Sequence, residues 1–132
     1  MGTRPRLTLS ATVLDAPDAR ELAAFYRRLL DDWLVREDGP DWVYIAPPDG
    51  GAGLSFQTEP HYVRPRWPST PDAQQMMLHL DIQVDDLPAA VAHAVAAGAT
   101  LAGFQPQDHV RVLFDPVGHP FCLYVRTPEP GS

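Results

Sequence analysis

Two side chains in this sequence stand out as able to do chemistry together. His79 is the one ring nitrogen donor in the run MLHLDIQV, Met77 to Val84, and Cys122, the chain's one cysteine, sits in PFCLY. An imidazole beside a thiol is the core of a thiolate nucleophile, but that chemistry needs a third group to orient the base, and the sequence does not supply one. The same two atoms are also donors for a divalent ion. Against these readings stand simpler ones. His79 reads equally as a core histidine bonded to a neighbour, and Cys122, between Phe121 and Leu123, reads as an inert buried thiol. Asp81 and Gln83 alternate in phase with His79, so Asp81 is either an acceptor for a ligand or the solvated end of that row.

Other candidates surround this pair. Arg64, Arg66 and Trp67 fall in a proline-rich tract, where the arginines can anchor an anion or simply face solvent or a second subunit. Phe56, Tyr124 and Trp42 are core residues taken singly, or together with Trp67 the lining of an aromatic pocket. Gln57 and Glu59, ending one apolar run, offer a further oxygen donor if the register shifts. Asp85 and Asp86 are better suited to helix capping than to paired-carboxylate catalysis, and His119 reads as a turn residue.

Composition narrows the classes. The 132 residues fit one domain or two half-domains sharing a core. With 17 acidic against 10 basic residues the net charge is -7, which argues against a nucleic-acid partner. No apolar run reaches the roughly 20 residues that span a bilayer, the N-terminus lacks a signal-like core, and one cysteine rules out an internal disulfide framework. A cytoplasmic protein is expected.

The elements that position these residues follow in order. Leu7 to Leu14 reads as a strand, and Asp18 with Glu21 as a capping box. The helix behind it buries Leu22, Phe25, Tyr26, Leu29 and Leu30. Strands follow at Trp33–Glu37, Trp42–Ala46 and Gly53–Thr58. Residues 59–76 carry Pro60, Pro65, Pro68 and Pro71 and read as a linker. Then the order repeats. There is a strand at Met77–Val84 and a helix capped by Asp86, with an apolar face of Leu87, Val91, Ala94 and Val95 and an end at Gly98. Strands are expected at Leu101–Phe104, Val110–Phe114 and Pro120–Val125, and residues 127–132 as a frayed tail. Ala11 and His79, Asp18 and Asp86, Gly50 and Gly118, Leu54 and Cys122, and Phe56 and Tyr124 are each 68 positions apart. The chain is therefore a β-α-β-β-β unit used twice, residues 7–58 and 77–126, in the α+β class.

The Pro17-Asp18 start with Phe25-Tyr26, the His79 to Asp86 run with Ala97-Gly98-Ala99, and Asp115-Pro-Val-Gly-His-Pro-Phe-Cys122-Leu resemble the vicinal oxygen chelate superfamily in its glyoxalase-like, bleomycin-resistance-like branch. The resemblance implies paired modules forming a cup-shaped mixed sheet, completed by dimerisation, that hosts lyases, isomerases, dioxygenases and drug-binding proteins alike. It also implies metal ligands on inner strands, and here the positions carry Ala11, His79 and Cys122. His79 is the only one that matches, and a catalytic centre usually takes three protein ligands. The expectation is a homodimer that binds a small molecule without a complete metal centre or other cofactor, through His79, Cys122, Trp67, Phe56, Tyr124, Gln57 and Arg66. A divalent-metal enzyme and a drug-sequestering protein are the alternatives.

Overall fold

A computed structural model describes residues 4–126. The chain divides into two units, Met1–Pro60 and His61–Ser132, each built around a four-stranded mixed sheet with one helix. The proline-rich tract belongs to the second.

In the first unit the elements are β1 (Ala11–Ala16), α1 (Ala19–Leu29), β2 (Leu34–Asp38), β3 (Trp42–Ala46) and β4 (Gly53–Thr58). The sheet runs β1-β4-β3-β2, with β1 and β4 parallel and the other pairs antiparallel. Asp18 caps α1 as expected, its Oδ1 accepting from the backbone N–H of Arg20 at 3.0 Å and Glu21 at 3.4 Å, which satisfies donors that no helical carbonyl can reach. Leu22, Phe25, Tyr26 and Leu29 are buried against the sheet face of Leu14, Val43, Ile45, Leu54 and Phe56. The Tyr26 and Phe56 rings stack with centroids 5.4 Å apart. Residues 7–10 do not join the strand that the sequence suggests: Leu7 and Leu9 are largely exposed, and pairing starts only at Ala11, opposite Gly53.

The second unit holds β5 (Leu80–Gln83), α2 (Leu87–Ala97), β6 (Thr100–Leu101), β7 (Val110–Phe114) and β8 (Pro120–Tyr124) in the order β5-β8-β7-β6. Helices α1 and α2, and strands β3 and β7, are separated by the 68-residue repeat at both of their ends. Gly50 and Gly118, also 68 apart, both take positive φ, 84° and 96°, a backbone that favours glycine. β5 is shorter than Met77–Val84, and His79 lies just before it. The expected strand at 101–104 shrinks to Thr100–Leu101. The apolar face of α2 is Leu87, Ala94 and Ala97, whereas Val95 is exposed. A helix composed largely of alanine and valine has no polar side to reveal its orientation.

The repeat slips once. β7 and β8 pair Val110 with Tyr124 and Val112 with Cys122, while β3 and β4 pair Trp42 with Gln57 and Tyr44 with Ser55. Cys122 therefore corresponds to Ser55, and Tyr124 to Gln57, 67 positions apart. Leu54 matches Phe121, and Phe56 matches Leu123. The turn after Gly118 is one residue shorter than the turn after Gly50, and in a strand a one-residue slip exchanges the two faces. Matching Leu54 to Cys122 and Phe56 to Tyr124 is thus corrected.

Candidate functional site

The short β8 turn decides which side chains leave the core. Phe121 and Leu123 are buried, so Cys122 and Tyr124 point to the opposite sheet face. The parallel pairing of β5 with β8 sets Asp81 beside Cys122 and Gln83 beside Tyr124. The Tyr124 hydroxyl donates to Gln83 Oε1 at 3.4 Å. His79, two residues before Asp81 and in phase with it, completes the row.

The result is a compact polar cluster. His79 Nε2 lies 3.1 Å from Asp81 Oδ1, and one donor atom from each of His79, Asp81 and Cys122 lies within 4.8 Å of the others. The imidazole and carboxylate are exposed, the thiol half-buried. Burial raises the Cys122 thiol to a pKa of about 11; the negative charge of Asp81 and a hydrogen bond to it push the same way. At neutral pH the sulfur is therefore S–H, a poor nucleophile, since the thiolate is the reactive form. The thiolate–imidazole reading loses its premise.

Asp81 becomes part of the cluster through tertiary structure. Its phase with His79 was visible, but only parallel pairing brings it next to Cys122, and that pairing is not encoded locally. The chemistry that the cluster offers is a hydrogen-bonding and charge-bearing anchor. As a nitrogen, oxygen and sulfur donor set it also fits a borderline ion such as zinc, with three protein ligands and room for a fourth.

The remaining predicted residues lie elsewhere. Phe56 is fully buried beneath α1, with one ring face on Tyr26, so it belongs to the core rather than to a binding surface. Gln57 is in the first unit, its Nε2 donating to Asp15 Oδ1 at 2.7 Å. Arg66 and Trp67 are in the second unit, where Trp67 packs beside Phe104 and Phe114 at centroid distances of 5.8 and 6.4 Å. Ala11 brings no donor atom. His119 is held by its turn, its N–H donating to Asp115 Oδ1 at 2.9 Å, and Asp86 caps α2 through Ala89.

A profile of the glyoxalase-like domain matches residues 11–124, from the first strand to the last. The chain belongs to the glyoxalase-like domain family. This glyoxalase-like protein is similar to a glyoxalase/bleomycin resistance protein/dioxygenase family enzyme from Burkholderia phytofirmans, with 19% identity and a TM-score of 0.67 over 90% of this chain and 98% of that one. It is similar to a lactoylglutathione lyase from Agrobacterium tumefaciens, with 15% identity and a TM-score of 0.60 over 92% and 96% of the two chains. A third neighbour is TnmS3, an antibiotic-binding protein from Streptomyces sp., with 16% identity and a TM-score of 0.54 over 96% and 100%. At these identities the likeness establishes the vicinal oxygen chelate fold. No curated protein matches the chain at a significant level. Among the described residues no helix is long and apolar enough to cross a membrane.

Proposed function

We propose that this glyoxalase-like protein binds a small organic molecule on the face of its second sheet that carries His79, Asp81, Cys122 and Tyr124. The observation that carries the reading is the His79–Asp81 contact at 3.1 Å beside a thiol held in its neutral form. Together they present a polar anchor beside the apolar Val110, Val112 and Phe114 of the same sheet face, and a few polar groups among apolar ones are usual in a small-molecule site. His79 and Asp81 orient the ligand, while Cys122 and Tyr124 provide contact area and a hydroxyl. The family resemblance supports a homodimer as the working form. Ligand-observed NMR with a library of neutral aromatic fragments tests the reading. Hits should lose binding in His79→Ala and Asp81→Asn. Hits indifferent to both changes sink it.

A second reading is favoured by the three donor atoms within 4.8 Å. His79, Asp81 and Cys122 would hold a divalent ion, which when bound supplies a Lewis acid to a substrate oxygen. The protein would have to surrender the Cys122 proton, and Asp81 would turn from hydrogen-bond acceptor to ligand. Dialysis against zinc followed by metal analysis separates the two. One equivalent retained by the native chain and lost in Cys122→Ser establishes the metal site, and no retained metal removes it. A drug-sequestering role has the support of the fold shared with an antibiotic-binding protein, and the charge of -7 permits a cationic ligand. Binding of a cationic glycopeptide that weakens with salt is its test.

A further inference from the structure

The tract His61–Trp67 connects the repeats in sequence, yet in the second unit it is fastened down. The Tyr62 hydroxyl donates to Val117 O at 2.8 Å, and Arg64 Nη1 donates to Pro116 O at 3.3 Å. Arg64 lies so close over Gly118 that a Cβ there would sit 2.7 Å from its Nε and 3.0 Å from its Cζ. Two residues on, Arg66 N–H donates to Gln74 O at 2.7 Å, and Arg66 forms a bridge with Gln75. Pro65 disfavours helix at Arg64, and the side chains of Arg64 and Arg66 border the same groove.

Between these fastenings Arg64, Pro65, Arg66, Trp67 and Phe114 line a groove of about 320 Å³, within the size range of small-molecule sites. Its wall is aromatic, with Trp67 packed beside Phe114 and Phe104. Its rim is cationic. Among the described residues neither Arg64 nor Arg66 forms an ion pair with a carboxylate. Two unmatched guanidinium groups beside an indole are unexpected in a protein of charge -7, where carboxylates outnumber them. A guanidinium presents parallel N–H donors that fit a carboxylate two at a time, and the indole offers a flat face for a ring.

We infer that this groove is a binding site for a planar aromatic carboxylate, its acid group held by Arg66 and Arg64 and its ring resting on Trp67 and Phe114. The groove is lined by none of the residues of the His79 cluster, although Phe114 lies on the same sheet face as Cys122.

Titration of the full chain with 1-naphthoate, alongside neutral 1-naphthamide of the same shape, tests the inference. Naphthoate should bind about tenfold or more tightly than the amide, as loss of a charge-assisted hydrogen bond predicts. Arg66 is exposed, so Arg66→Gln should fold normally and weaken naphthoate by a similar factor while leaving the amide unchanged. In NMR spectra naphthoate should shift the Trp67 indole N–H and leave the His79 ring signals in place. Equal affinity for acid and amide would overturn the inference. So would unchanged binding in Arg66→Gln, shifts centred on His79, or no shift at Trp67 with millimolar naphthoate.

Discussion

Asp81 and Cys122 stand opposite one another in the parallel pairing of β5 and β8, and the carboxylate helps to keep the thiol protonated. Burial is the larger cause, Asp81 the second. One residue thus serves two neighbours: it contacts His79 on one side and restrains sulfur ionisation on the other.

The first prediction concerns that restraint. Alkylation of Cys122 by iodoacetamide should be slow at pH 8, with a rate rising toward a midpoint of about 11. Asp81→Asn should move the midpoint down only part of the way, because desolvation remains. A midpoint unmoved by Asp81→Asn would remove Asp81 from the account. The linked effect on stability has a definite sign. The folded thiol holds its proton to higher pH than the unfolded one, at 9.0, so this contribution is intact below pH 9 and is lost as pH rises through about 11. Urea unfolding across that window, compared with Cys122→Ser, measures it.

Phe56 and Tyr124 should respond unequally to truncation. Phe56→Ala empties a site with no solvent access and should cost about 3–5 kcal/mol. Tyr124→Ala, on the half-buried face, should cost roughly 1 kcal/mol. Denaturant midpoints decide it, and equal costs would contradict the faces described above.

The two turn glycines separate backbone strain from crowding. Gly50 has φ 84° with nothing within 4 Å of a would-be Cβ, whereas Gly118 has φ 96° and Arg64 against it. Gly50→Ala should cost about 1 kcal/mol from φ alone. Gly118→Ala should cost more, roughly 2–3 kcal/mol, and adding Arg64→Ala should recover the excess but not the strain. A double-mutant cycle with no coupling would place Arg64 away from Gly118 in solution.

The caps offer a smaller test. Asp86→Ala removes the side chain that accepts from Ala89 N–H at 3.1 Å and should cost about 1 kcal/mol, as should Asp18→Ala at the equivalent position. Thermal melts read both, and Asp→Asn should retain most of the stability.

What was legible in the sequence was local. Asp18 and Asp86 announce both helices, Gly98 ends the second, and the apolar runs at 42–46, 53–58 and 110–114 become strands with those bounds. These signals lie within a few residues of what they determine. What stayed hidden depends on partners distant in the chain. The start of β1 is set by Gly53, and the side of α2 facing the sheet is not marked by an alanine-rich surface. Phe104 does not extend β6 and packs beside Trp67 instead. Asp81 reaches Cys122 only through parallel pairing. Of the predicted site, His79, Cys122 and Tyr124 share one sheet face, Arg66 and Trp67 share a groove, Gln57 is in the other unit, and Phe56 is core.

The shorter turn between Gly118 and β8 gives the protein an address switch of one residue. Transplanting the four residues from Gly50 to Gly53 in place of Gly118 to Pro120 lengthens the turn by one. If the strand slides to accommodate it, Cys122 and Tyr124 turn under α2, and Phe121 and Leu123 turn out to water. One residue gained or lost in this turn thus exchanges the strand's working surface without changing any residue on it.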